Sequence, residues 1–327
     1  MIQKNIGQER RSRRKPIRKG ADLALQDLDE RLAVVRDRVR GVAFGYHNGF
    51  YLFGRPGTSK THSVRTTLAE LGTPHHYHLG HLTPMGLFDL LLEQHDRVIV
   101  LDDVSAIFEQ PVALQILLAA LGNQPEGAGG RVVEYRRRGL VDTVQFSGGI
   151  ICISNLELHP TPLLQAIKSR IPYLKYDPSD EQLAALMRSI AEKGWPAKSQ
   201  RMTPKECREV AEFLIAESKR LGCRLDLRLL VDKAFPDYLQ HRGGDTEAHW
   251  QDLVIATLEE QLVELRHTPK AYAGSRNDRK RSEQQVVQEL LTAHSTPQAR
   301  LAAWQERTGK SPRAFYRRLE EIGLNTL

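Results

Sequence analysis

Cysteine is scarce in this chain: Cys152, Cys207 and Cys223 are the only three among 327 residues, too few for the disulfide framework of a small secreted scaffold. No uninterrupted apolar run approaches the roughly 20 residues that a membrane helix needs, so a spanning segment is not expected. The first twenty residues carry eight Lys or Arg and no apolar stretch, which argues against a secretory signal and for a cytoplasmic chain. No Ser/His/Asp or Cys/His nucleophile set is recognisable. His75, His76, His78 and His81 alternate along one segment, so they point to both faces, and no cysteine or carboxylate completes a metal-ligand set.

What is present is 40% hydrophobic and 27% charged residues, enough for a sizeable core in two or three folded units. The formal net charge of +7 is uneven: residues 1–20 contribute +7 and residues 266–327 contribute +6, which leaves the middle near −6. A mildly acidic body with basic ends suits a soluble engine whose extremities approach a polyanion such as DNA or RNA, although a solvated tail has the same composition.

Residues 1–20, interrupted by Pro16, are expected to be a disordered basic tail. From residue 21 onward an amphipathic helix is followed by strands at 49–53, 74–79, 97–101, 150–154 and 173–176. Helical stretches at 60–71, 84–94, 111–121 and 161–171 alternate with them. That alternation predicts an α/β unit over residues 21–177, a parallel sheet covered by helices. Residues 178–266 read as a small all-helical second domain. Residues 267–282 read as a polar basic linker, and 283–327 as three helices in a helix-turn-helix-like arrangement.

The segment Gly54-Arg55-Pro56-Gly57-Thr58-Ser59-Lys60-Thr61 lies between a predicted strand and a predicted helix, where a phosphate loop has to lie. Glycines allow close backbone approach, the helix start adds a field favouring anions, Lys60 suits the β and γ phosphates of ATP, and Thr61 suits Mg²⁺. Ser59 departs from the motif, which has glycine before the lysine. Serine is tolerated there if the position avoids positive φ. The buried strand Val98–Leu101 ends in Asp102-Asp103 at the carboxyl end of the sheet, beside the loop if the two strands are neighbours. Asp102 is then a Mg²⁺ residue and Asp103 the group that polarises water.

With these motifs in this order, residues 21–240 resemble the AAA+ ATPases, and the stretches LDDVSAIF, ALQILLAAL and GGIICISN look like ATPases encoded by phages and plasmids. The resemblance implies a ring or partial ring of identical subunits that binds and hydrolyses ATP with Mg²⁺ at subunit boundaries. It makes Asn155 a polar sensor, Arg170 an arginine finger supplied to a neighbouring subunit, and Arg228 a second sensor in a helical lid, with Arg224 the alternative for the last. Asp103 stands where the family usually has glutamate, so its carboxylate is one methylene shorter and hydrolysis is expected to be slow.

A hairpin is expected over 131–146 with Arg136, Arg137 and Arg138 at its tip, similar to the insertion of the helicase-like AAA+ branch. These arginines suit a phosphate backbone. In the C-terminal segment, Ser311, Arg313, Arg317 and Arg318 are expected to face DNA while Leu301, Trp304, Phe315, Leu319 and Ile322 pack inward. A helical bundle that binds a protein partner fits the same periodicity. Two functions follow: an ATPase coupled to DNA in replication, helicase loading or mobile-element maintenance, or an ATP-gated adaptor that recruits a protein.

Overall fold

The computed structural model describes residues 20–123, 130–137, 140–158, 160–196, 201–267, 276–294 and 296–322. The chain divides into two compact units, residues 1–259 and 260–327. Of the basic segment 1–20, all but Gly20 lies outside the described residues; Gly20 begins helix α1 (Gly20–Ala43), which buries Leu28, Val35, Val39 and Val42 at helical spacing.

Strand β1 (Gly49–Phe53) leads through the glycine loop into α2 (Lys60–Glu70). Next come β2 (His75–Leu79), α3 (Pro84–Glu93), β3 (Val98–Asp102), a 3₁₀ turn at Ser105–Glu109 and α4 (Pro111–Ala120). A hairpin of β4 (Arg131–Arg137) and β5 (Leu140–Phe146) precedes β6 (Ile150–Ser154), α5 (Pro162–Lys168) and β7 (Tyr173–Lys175). The five strands outside the hairpin form one parallel sheet in the order β2-β3-β6-β1-β7, flanked by helices on both faces. This is an α/β fold, compatible with a P-loop-like core.

Strands β1, β3 and β6 are buried along their whole length, and alternate residues serve opposite layers. Phe50, Leu52, Val98, Val100, Ile151 and Ile153 pack with α1 and α2 residues such as Val35 and Val64. Tyr51, Phe53, Ile99, Leu101, Ile150 and Cys152 pack with α3, α4, α5 and the hairpin, including Phe88, Leu117, Ile167 and Val144. Strands β1 and β3, whose adjacency was the condition for the acidic pair to lie beside the loop, are not paired: β6 lies between them, pairing Phe53 with Ser154 on one side and Asp102 with Ile153 on the other.

Beyond β7 the first unit is mostly helical: α6 (Asp180–Glu192), α7 (Pro204–Leu221), a π-helical turn (Leu229–Ala234) running into α8 (Phe235–Gly243), and residues 250–259 of α9 (Trp250–His267), whose remainder belongs to the second unit. A two-residue ribbon of β8 (Trp195–Pro196) and β9 (Arg201–Met202) is added, too short to leave a periodic signal. Helices α3, α5 and α7 begin with a Thr-Pro pair. Thr83, Thr161 and Thr203 accept from the backbone N–H of Gly86, Leu164 and Glu206, while the proline occupies a first-turn position whose N–H needs no partner.

In the second unit α10 (Arg276–Ala293), α11 (Pro297–Thr308) and α12 (Pro312–Glu321) enclose Val287, Leu290, Trp304, Phe315 and Leu319. The expected linker 267–282 is shorter than its composition suggests. Residues 276–282 belong to α10, because three Arg and one Lys with no Gly or Pro among them favour a helix, and 268–275 lie outside the described residues. No helix among the described residues is long and apolar enough to cross a membrane.

Candidate functional site

The carboxyl ends of β1, β3 and β6 open onto a cleft of about 1010 Å³ within the first unit. Its lining includes Gly57, Thr58, Ser59, Lys60 and Thr61 from the loop and the start of α2. Asp102, Asp103 and Asn155 come from the ends of β3 and β6, and Arg228 from the helical region. Open α/β sheets bind ligands at such strand ends. Placing β6 between the loop and the acidic pair inserts Asn155 between them, so the loop and the carboxylates share one cavity without their strands being paired.

Glycine is required at the loop's first position: a Cβ on Gly54 would lie 1.8 Å from the Tyr176 carbonyl oxygen. Gly57 has φ 64, and a Cβ there would lie 1.5 Å from Asp226 Oδ1. Thr58 is buried, and its hydroxyl donates to the Arg55 carbonyl at 2.9 Å, which braces the turn. Among the described residues, none accepts a hydrogen bond from the backbone N–H of Gly57, Thr58, Ser59, Lys60 or Thr61. Five successive unpartnered donors at a helix start make a positively polarised cradle.

The Lys60 ammonium donates to Gly54 O at 2.8 Å, Arg55 O at 2.5 Å and Asn155 Oδ1 at 3.0 Å. Asn155 in turn donates from Nδ2 to Asp103 Oδ1 at 3.0 Å, so Lys60, Asn155 and Asp103 form one hydrogen-bonded chain. Burial lowers the Lys60 pKa to about 8, further pressed by Arg228 and opposed by Asp103, Asp102 and Asp226. The Asp102 carboxyl is pushed above its usual range by burial and by Asp103, against the Thr61 hydroxyl, Lys60 and Arg65. Asp102 and the Thr61 hydroxyl are the pair suited to a hard divalent cation, whose charge would restore the ionised carboxylate. Among the described residues no carboxylate pairs with the Arg228 guanidinium, although its backbone N–H donates to Asp226 Oδ1 at 2.7 Å.

Two non-glycine residues of this cleft have left-handed backbone, Ser59 at φ 69 and Asp103 at φ 55. The condition set for serine at this position, a φ that is not positive, is therefore not met, and the residue carries the strain instead. Among the described residues its buried Oγ has no partner in hydrogen-bond geometry, and it lies near Tyr176, whose pKa burial pushes up to about 12 against the opposing effect of the Ser59 hydroxyl. Replacing Ser59 with glycine removes a left-handed penalty of about 1–2 kcal/mol against an added chain entropy of about 0.5–1 kcal/mol. We expect Ser59→Gly to raise stability by about 1 kcal/mol, read from the urea midpoint; a lower midpoint would assign the serine hydroxyl a stabilising role.

The remaining sequence candidates fall outside the cleft. Arg170 is exposed after α5 and donates to the Ala166 carbonyl at 2.8 Å. Arg224 is also exposed and does not line the cavity. The hairpin forms in register from Arg131 opposite Phe146 to Arg137 opposite Leu140, with Val133, Val144 and Phe146 buried. Arg136 is exposed and pairs with Glu134 at 3.2 Å, while Arg138 and the Arg137 side chain lie outside the described residues.

In the second unit Leu301, Trp304, Phe315, Leu319 and Ile322 pack inward as expected, and Arg313 and Arg317 are exposed. Arg318 differs from the expectation: its guanidinium bonds Glu283 at 2.8 Å and Glu321 at 2.9 Å and is turned into the bundle, 13% exposed, rather than outward. The sequence reading also missed Arg55 and Asp226, which hold the loop. Arg55 occupies a position the motif leaves open. Asp226 stands two residues before Arg228, a helix-cap spacing that could have flagged it.

Compared with models of known protein families the chain matches none, and no curated protein matches it.

Proposed function

We propose that this protein is a Mg²⁺-dependent ATPase of the AAA+ type that acts as an assembly of identical subunits and couples nucleotide turnover to DNA. The observation that carries the reading is the row of five N–H groups from Gly57 to Thr61 that have no acceptor among the described residues, set with the buried Lys60 and with Arg228, which no described carboxylate pairs, around one large cleft. Such a site is built for a polyanion with several phosphate oxygens.

Mg²⁺-bound ATP supplies the phosphoanhydride to be cleaved and the cation that draws off its charge. In this reading the loop N–H groups from Gly57 to Thr61 hold phosphate oxygens, and Gly54 and Pro56 shape the turn that presents them. Lys60, released from the Gly54 and Arg55 carbonyls, neutralises phosphate charge, and Thr61 and Asp102 hold the cation. Asp103 and Asn155, already bonded to one another, orient the attacking water, and Arg228 senses the terminal phosphate. Arg170, exposed and away from its own cleft, is the group offered to a neighbouring copy. Exposed Arg136, Arg313 and Arg317 are the candidates for the nucleic-acid backbone, with Arg137 and Arg138 beside Arg136 in sequence. The basic charge at both ends of the sequence supports a polyanionic partner over a protein-recruiting adaptor.

The Lys60 pKa gives the reading a test of its own. With a value of about 8, Lys60 is about half protonated at pH 8, and a phosphate beside it raises that value. Binding of Mg²⁺–ATP at pH 8 is therefore expected to take up roughly half a proton per site. Calorimetric titrations in two buffers of different ionisation enthalpy measure this. Absence of binding, or a heat that does not depend on buffer, would count against the assignment.

A further inference from the structure

Resting on the reading of the cleft as a nucleotide site, we propose that Arg55 and Asp226 are positioning residues through which the phosphate loop moves the segment that carries Arg228. The loop itself, and not the nucleotide alone, then transmits occupancy to the helical region.

The link is a single peptide plane. The Gly57 carbonyl accepts from Leu227 N at 2.9 Å, and the N–H of the same peptide unit belongs to Thr58, one of the five unpartnered donors in the cleft. The unit is rigid and planar, so any turn that aims the Thr58 N–H at a phosphate oxygen also turns the Gly57 oxygen held by Leu227. Leu227 must follow or lose its bond. The Asp226 carboxylate rests on Gly57 at a distance that excludes any side chain there, and it caps the backbone of Arg228. Residues 226 and 227 are thus seated on the loop by two successive positions, and Arg228 is tied to the first of them.

A second connection runs through Arg55. Its Nε donates to Asp177 Oδ1 at 2.7 Å, Nη1 to Asp180 Oδ1 at 3.3 Å, and Nη2 to Pro178 O at 2.5 Å. The same Asp180 Oδ1 accepts from Leu225 N at 3.3 Å. Arg55 therefore grips the connection between β7 and α6 and reaches the 225–228 segment from its other side. A planar guanidinium with several fixed donors suits this multiple grip, which a lysine cannot reproduce. Arg55 O is also the acceptor for Lys60 and for the Thr58 hydroxyl, so release of Lys60 disturbs the residue that holds the connection.

Hydrogen exchange of the full chain, with and without Mg²⁺–ATP, tests this in the wild type, Arg55→Ala, Asp226→Ala and Asp226→Asn. Without nucleotide, exchange of residues 225–228 should rise about fivefold in Asp226→Ala, the effect of one lost hydrogen bond, rise in Arg55→Ala as Asp180 loses the guanidinium that holds it, and stay near wild type in Asp226→Asn, which keeps the capping oxygen. With Mg²⁺–ATP, the wild type should slow exchange at both 57–63 and 225–228, whereas the alanine variants, which keep the backbone bond from Leu227 to Gly57, should respond as wild type at 57–63 and by clearly less at 225–228. A response at 225–228 in the alanine variants equal to wild type would overturn the coupling, as would a wild type that responds at 57–63 only. No response at 57–63 in the wild type would instead defeat the nucleotide reading, and the nucleotide-free comparison would still decide whether Arg55 and Asp226 hold the segment.

Discussion

Lys60→Ala is expected to lower the affinity for Mg²⁺–ATP by at least about 100-fold. Each hydrogen bond from a charged donor is worth about 1.5–3 kcal/mol where the partner would otherwise be left without it, and about 1.4 kcal/mol is tenfold in affinity. The folded state is expected to tolerate the change. Lys60 is buried and the fold disfavours its charged form, so deleting it removes a desolvation cost along with its bonds to Gly54, Arg55 and Asn155. Fluorescent-nucleotide titration together with urea unfolding separates the two quantities. A variant that binds ATP as well as the wild type would remove Lys60 from the site, and one that no longer folds would make it structural. Arg170→Ala provides the contrast: it should leave the affinity unchanged and lower turnover where subunits are associated, seen as a rate that no longer rises with protein concentration.

Glu283→Ala is expected to destabilise the three-helix C-terminal unit by about 2 kcal/mol, the scale for a lost hydrogen bond between charged groups. Glu283 is only 11% exposed and receives Lys310 at 2.5 Å and Arg318 at 2.8 Å, so its removal leaves Lys310 without this acceptor and Arg318 with Glu321 alone. Burial alone would raise the Glu283 pKa, but the bonds from Lys310 and Arg318 outweigh it and hold the carboxyl below its usual range. A depressed folded-state value means that the pair stabilises the unit above the unfolded pKa and that this stabilisation is lost as pH falls through the folded value. Hydrogen exchange of α10 and α12 in the intact chain should show both effects. A variant as protected as wild type from pH 7 down to pH 4 would show the pair to be dispensable.

Local chemistry was legible in the sequence wherever neighbours along the chain decide it. The β-branched runs at 97–101 and 150–154 became buried strands, the Thr-Pro pairs became helix starts, and the loop with its lysine lies between β1 and α2. What it did not reveal depends on partners far away. The position of β6 between β1 and β3 follows from packing on both faces, which no strand reports by itself. The backbone of Ser59 is set by the turn it completes rather than by serine's own preference. Arg318 looks like a surface base beside Arg317, and only the fold brings Glu283, thirty-five positions earlier, against it. The Arg55 grip spans 122 residues to Asp177 and had no local signature.

The two-sided burial of β1, β3 and β6 leaves their alignment underdetermined by greasiness: sliding one of them by a single residue would exchange one oily surface for another. The stops are at the tips. At the amino ends, Gly49 and Gly148 sit where an added carbon would come within 2.6 Å of Leu121 Cδ2 and 2.0 Å of the Arg97 oxygen, so no neighbour can slip into their places. At the opposite ends, Asp102 and Asn155 are polar groups that belong in the cavity and not between layers. The residues proposed to do the chemistry therefore also index the strands, and a one-residue insertion in β6 should cost the protein its fold and its cavity together.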